Sequence, residues 1–200
     1  MQFSLFKETA NLLPHPGECY YYPGFLSSAE GDQYFTQLAE EINWRQEPIT
    51  IAGKKVMQPR LTAWYGDLSR NYRYSGITMK AIPWSKNLLE IKKRTEDFSG
   101  HFFNGALLNL YRTGMDSMGW HRDNEKELGS RPVIASVSLG AARIFELRRW
   151  HDKDLKISLE LAHGSLLLML GETNHYWEHR IPKTKLTTGI RINITFRIIL

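Results

Sequence analysis

From Ile190 to Ile198 the chain alternates strictly: Ile190, Ile192, Ile194, Phe196 and Ile198 take every second position, continued by Leu200, with Arg191, Asn193, Thr195 and Arg197 between the first five. Successive side chains of a strand point to opposite faces, so this pattern predicts a β-strand with one wholly apolar face and one polar face carrying two arginines. Read plainly, it is an edge strand whose arginines point into water. Two arginines on one face can also bind an anion. Six residues of strand separate them by roughly 20 Å, too far for both to grip one carboxylate, but a small dicarboxylate lying along the strand could give each end its own guanidinium.

Upstream, two helices are predicted. Ser27 and Glu30 have capping-box spacing, and Tyr34, Phe35, Leu38 and Ile42 follow on one face. Leu88, Ile91, Thr95 and Phe98 form a second stripe that stops at Gly100. From about Gly105 the period shortens to that of strands, at Ala106 to Tyr111, Val133 to Leu139, Arg143 to Leu147, Ile157 to Leu161 and Leu166 to Leu170. Helices followed by many short strands predict an α+β domain whose β part is a sandwich or open barrel.

Composition narrows the setting. At 200 residues, 42% of them hydrophobic and without repeats or Gly/Ser linkers, the chain reads as one domain, 1–200, and we expect a monomer. Cys19 is the only cysteine, which excludes an internal disulfide and suits a reducing interior, cytoplasmic in a bacterium or nuclear in a eukaryote. The first eight residues do not resemble a signal peptide, and no run approaches the roughly 20 apolar residues of a membrane span. From Glu47 to Thr95 ten Lys or Arg face three acids, an excess of seven in a molecule whose net charge is +5. Such concentration suits a polyanion such as nucleic acid, or equally a solvated lysine-rich surface.

Chemistry enters at His121-Arg122-Asp123, where an imidazole and a carboxylate two positions apart project to the same side of an extended segment. With a second histidine, this set would occupy one face of iron(II) and leave adjacent positions open for other ligands. His175 and His179 compete for that place, having the same parity on a possible strand. His15, His101, His151 and His163 read as surface, turn or core residues.

In order along the chain stand Pro59-Arg60, Tyr65-Gly66-Asp67, Asn109-x-Tyr111, His121-x-Asp123-x-Glu125, Ala135-Ser136-Val137-Ser138-Leu139-Gly140, His163-Gly164-Ser165, His179 and Arg191-x-Asn193-x-Thr195-x-Arg197. Over these segments, from Pro59 to the C-terminus, the sequence resembles the AlkB-type nucleic-acid dealkylases. The resemblance implies a double-stranded β-helix (jelly-roll) core, with residues 45–85 as a nucleotide-recognition lid. It selects His179, just before the Ile181-Pro182 step, as the third iron(II) ligand beside His121 and Asp123. It assigns 2-oxoglutarate to Asn109, Tyr111, Arg191, Asn193, Thr195 and Arg197, and turns the arginines inward.

The implied reaction uses O2 and 2-oxoglutarate to oxidise an N-methyl group on a damaged base such as 1-methyladenine or 3-methylcytosine, in DNA with RNA as a further substrate, releasing succinate, carbon dioxide and formaldehyde. Such a base must leave the stack or be single-stranded already. The same resemblance places Tyr72 and Tyr74 as stacking aromatics, Asn124 and Glu125 against the base, and Arg60 among the substrate contacts. At Ile49-Thr50-Ile51-Ala52-Gly53, duplex-acting relatives carry a bulky apolar finger. Ile51 and Ala52 offer no aromatic ring, which points toward single strands. The competing readings are a 2-oxoglutarate-dependent hydroxylase of a protein or small molecule, and a catalytically silent nucleic-acid-binding module.

Overall fold

The computed structural model describes residues 9–51, 53–67, 72–74, 77–186 and 189–200; the side chains of 50–51, 72–74 and 77–79 lie outside the description, as do residues 52, 68–71, 75–76 and 187–188. The capping box predicted at Ser27 forms as expected: Ser27 starts α1 (Ser28–Glu41), and the Ser27 and Glu30 side chains each bond the other's backbone N–H. Ser85 caps α2 (Lys86–Ser99), which ends where Gly100 takes a left-handed φ of 72°.

Fourteen described strands follow or precede these helices. Six form a major antiparallel sheet: β1 (Glu18–Tyr22), β12 (Ser165–Leu170), β9 (Ile134–Gly140), β14 (Arg191–Arg197), β7 (Gly105–Tyr111) and β4 (Leu61–Gly66), in that spatial order. A minor sheet runs β11 (Lys156–Leu161), β10 (Arg143–Arg149), β13 (Trp177–Ile181), β8 (Met118–His121). Two hairpins stand apart, β2 (Pro48–Ile51) with β3 (Lys54–Met57) and β5 (Tyr72–Tyr74) with β6 (Ile77–Met79).

The major sheet is buried on both faces. Its outer side residues Leu108, Val137, Leu139, Leu166, Ile192, Ile194 and Phe196 pack with Leu38, Leu88 and Ile91 of the helices. Burying each of these helix side chains contributes roughly 1.5–3 kcal/mol. Its inner side, with Leu107, Ile134, Leu167 and Met169, meets Phe145, Leu147, Leu161, Trp177 and Ile181. Two facing antiparallel sheets with helices on one side are the jelly-roll, α+β arrangement expected from the sequence.

The structure decides three local points. The terminal strand is not an edge: β14 lies between β9 and β7 and all seven of its residues are buried, because the helices cover its apolar face and the second sheet covers its polar one. His175 is not on a strand with His179 but in the one-turn helix α3 (Thr173–Tyr176). Within 45–85, the stretch Leu61–Gly66 belongs to the major sheet as β4, and the two hairpins flank it in the chain.

Candidate functional site

Register builds the site. β8 and β13 pair with His121 opposite His179, bringing the two imidazole centres to 4.2 Å. Asp123 follows β8 by two residues and is buried, with Oδ2 at 3.9 Å from His179 Nε2. Donor atoms of His121, Asp123 and His179 all lie within 4.8 Å of one another, the only such cluster found among the described residues. His175 turns away, its Nε2 on the Ser130 carbonyl. His163 acts in packing, accepting the Gly140 N–H at Nδ1 (2.8 Å).

Electrostatics prepares these groups to bind a cation. Burial pushes the His121 imidazole below its usual pKa, against the pull of Asp123. Burial, reinforced by the neighbouring His121, brings His179 down to about 3. Both rings are therefore neutral near pH 7, as ligation requires. His121 Nδ1 lies 2.9 Å from the Gly119 carbonyl; as donor there, it leaves Nε2 for a metal. Burial would raise the Asp123 carboxyl, but Arg197 and the two imidazoles outweigh it and hold the group below the usual carboxylate range. Arg197 Nη2 donates to Asp123 Oδ1 at 2.9 Å.

Beside the cluster, β7 and β14 set Asn109 opposite Asn193 and Tyr111 opposite Arg191. These four, with Thr195 and Arg197, line a pocket that also reaches His121, Asp123 and His179. Arg191 Nη2 donates to Ser138 Oγ (2.9 Å), Asn193 Nδ2 donates to Ser136 Oγ (2.8 Å), and Thr195 Oγ1 donates to Asn193 Oδ1 (3.0 Å). The other two guanidinium nitrogens of Arg191, Nε and Nη1, are buried without a hydrogen-bond partner among the described residues. The two lie on different edges of the guanidinium, and an anion oxygen beside either edge can accept from it.

Other candidates are dispersed. Arg60 is buried and donates from Nε to Asn109 Oδ1 (2.7 Å), behind the pocket wall. Asn124 is exposed, and the half-buried Glu125 precedes a short 3₁₀ turn, Lys126–Leu128. Tyr72 and Tyr74 fall on β5 and Ile51 at the end of β2; their side chains, and Ala52 altogether, lie outside the described residues. Ser136 and Ser138, quoted earlier only within a motif, prove to hold Asn193 and Arg191. Their signal was present: hydroxyls at every second position of an otherwise apolar strand mark a polar inner face.

Two histidines and one carboxylate on one face, with a partly unpartnered guanidinium lining the same pocket, are a donor set suited to iron(II) beside a dicarboxylate. The 2OG-Fe(II) oxygenase superfamily is matched over residues 18–197, and the chain belongs to it. That family implies Fe(II), 2-oxoglutarate and O2, which the residues present fit. Among curated relatives, the chain is 43% identical over 184 residues to the alpha-ketoglutarate-dependent dioxygenase alkB homolog 3 of Bos taurus, covering 88% of this chain and 64% of that protein. It thus spans less than two thirds of that relative. It is 37% identical to the DNA oxidative demethylase ALKBH2 of Mus musculus, covering 90% of this chain and 79% of the relative. The structure of OsALKBH1 matches the fold with a TM-score of 0.64 at 18% identity, over 90% of this chain and 97% of that one. No helix among the described residues is long and apolar enough to cross a membrane.

Proposed function

We propose that this protein oxidatively demethylates N-alkylated bases such as 1-methyladenine and 3-methylcytosine in DNA, with RNA as a further substrate, consuming 2-oxoglutarate and O2. The observation that carries the reading is the juxtaposition of the His121/Asp123/His179 cluster with the Arg191 pocket, in a chain similar to proteins named DNA oxidative demethylases. Bound iron(II) with 2-oxoglutarate supplies an oxidant able to hydroxylate a methyl group, and the hydroxymethyl adduct then releases formaldehyde.

The chain's own groups hold and aim the reactants. Neutral His121 and His179 with anionic Asp123 would hold the metal, and Arg197 keeps Asp123 Oδ1 engaged in a hydrogen bond that orients the carboxylate. Arg191, with buried donors still unpartnered and Tyr111 beside it, would hold the far carboxylate of 2-oxoglutarate, and Asn109, Asn193 and Thr195 line the same pocket. Arg60 steadies Asn109 from behind. For the base, Tyr72 and Tyr74 supply stacking faces, to which a methylated cationic base is attracted. Glu125 and Asn124 accept from or contact its edge, and the hairpin with Ile51 and Ala52, lacking an aromatic finger, favours single strands. We read the protein as one domain, 1–200, with its two hairpins over the site, acting as a monomer on nucleic acid.

The test is to incubate the protein with Fe(II), 2-oxoglutarate and oligonucleotides bearing either lesion, as single- and double-stranded DNA and RNA, and to follow oligonucleotide mass and formaldehyde. Loss of the methyl group with stoichiometric succinate supports the reading. Succinate formation with no change in any oligonucleotide would move the substrate to a protein or small molecule, and no 2-oxoglutarate turnover at all would leave a binding module.

A further inference from the structure

Tyr111 lies between two buried arginines. The Arg191 guanidinium carbon is 5.1 Å from the centre of its ring and that of Arg143 is 5.6 Å away. Arg143 opens β10 and is outside the residues lining the pocket, yet it is only 3% exposed. Its guanidinium donates to four backbone carbonyls: Thr113 (3.2 Å), Gly114 (3.4 Å), Asp116 (3.0 Å) and Pro182 (2.7 Å). Three belong to the turn leaving β7 just after Tyr111, and the fourth follows β13 just after His179. No flexible ammonium could replace a planar fork shared among so many acceptors.

The charge pattern adds a reason. Arg143 is close enough to repel Arg191 and adds to the lowering of its pKa that burial begins. Among the described residues Arg191 has no carboxylate in an ion pair, and Asp116, the acid that acts on Arg143, is shared with a bidentate partner, Arg112 (2.7 and 3.0 Å). Two buried cations around one phenol leave a local excess of positive charge, which an anion entering beside Arg191 relieves.

We propose that Arg143 is a positioning residue for the co-substrate's distal carboxylate, fixing the Tyr111 ring and the β7–β8 turn from behind and adding a second positive charge to the Arg191 end of the pocket. It therefore sets the preference for a 2-oxo dicarboxylate over a 2-oxo monocarboxylate. This rests on the reading of Arg191 as the carboxylate-binding group.

The experiment measures equilibrium binding of 2-oxoglutarate and of 2-oxobutanoate, which keeps the keto acid but lacks the distal carboxylate, to Mn(II)-loaded protein by calorimetry. Arg143→Met should weaken 2-oxoglutarate by about tenfold or more, the size of a lost charge-assisted contact, and change Mn(II) and 2-oxobutanoate affinity by less than about threefold. In a Tyr111→Leu background the Arg143 effect on 2-oxoglutarate should shrink, because the two act together. Arg143→Lys, which keeps the charge, serves the same comparison if Arg143→Met does not fold and should fall between wild type and Arg143→Met where both fold. Equal losses for both acids, or an undiminished effect in the Tyr111→Leu background, would overturn the proposal by showing a general structural role. Arg191→Met is the control: if it leaves 2-oxoglutarate binding intact, the reading of the pocket fails first, whereas loss with Arg191→Met but not with Arg143→Met defeats this inference alone.

Discussion

Arg197 and Asp123, 74 positions apart in the chain, form a buried ion pair in which Arg197 Nη2 donates to Asp123 Oδ1 at 2.9 Å. Each side chain is almost wholly removed from solvent, at 3% and 2% exposure. The pair joins the last strand of the major sheet to the loop leaving the minor sheet, so the strand that carries Arg191 also orients a carboxylate of the metal cluster.

Removing Arg197 should therefore damage both stability and metal binding. Breaking one partner of a buried pair costs about 3–5 kcal/mol, and loss of an outer partner of a ligand weakens metal affinity by about 10–100-fold. Chemical denaturation of metal-free Arg197→Met and Mn(II) titration of the same variant check the two effects. Wild-type metal affinity in that variant would contradict them.

His179→Ala should abolish Mn(II) binding at micromolar protein and stop 2-oxoglutarate consumption, whereas His175→Ala should retain both within about threefold. The second variant loses only a contact to the Ser130 carbonyl. Parity along the chain cannot separate these histidines, so the pair of variants compares the two placements directly.

Gly31→Ala tests how α1 is seated. In an exposed helix interior this change stabilises by about 1 kcal/mol. Here a Cβ would lie 2.3 Å from His163 Nε2, and the ring is held on its other side by the Gly140 N–H. The substitution should instead lower stability by about 1–3 kcal/mol, read from the midpoint of a urea transition.

Lys54 and Lys55 stand exposed on the β2–β3 hairpin. If this hairpin meets a phosphate backbone, Lys54→Glu with Lys55→Glu should weaken single-stranded oligonucleotide binding and reduce the slope of log K against log salt by about 0.7 for each contact removed. Circular dichroism should be unchanged, since neither side chain is part of the core. An unaltered salt slope would assign the basic stretch to solvation.

Cys19 is fully buried, and burial pushes its thiol up to about 12 from 9.0. The folded state thus favours the protonated form. Its contribution to stability is complete below about pH 9 and is lost as pH rises from there toward 12. Iodoacetamide at pH 8 should leave native protein unmodified and label it fully in denaturant; rapid labelling of the native state would show Cys19 to be accessible.

Local order was written locally. The Ser27/Glu30 capping box, the stop at Gly100 and the alternation of residues 190–200 depend on neighbours a few positions apart, so periodicity and capping chemistry predicted α1, α2 and β14 to within a few residues. His121 and Asp123 were visible as a pair for the same reason. What periodicity lacked was the partner across space. A polar face on β14 looks the same whether water or a second sheet covers it, and only the placement of β14 between β9 and β7, under the minor sheet, turned Arg191 and Arg197 inward. Likewise His179 joined His121 through cross-strand register, and Arg143 reached Tyr111 through a turn and a neighbouring strand. The sequence by itself determined which elements form and which side chains can carry the chemistry, because propensity, capping and amphipathic period act over a few residues. Only the tertiary structure decided which of those side chains meet, because pairing register and sheet stacking join residues far apart in the chain, Asp123 with Arg197 and Tyr111 with Arg191 among them.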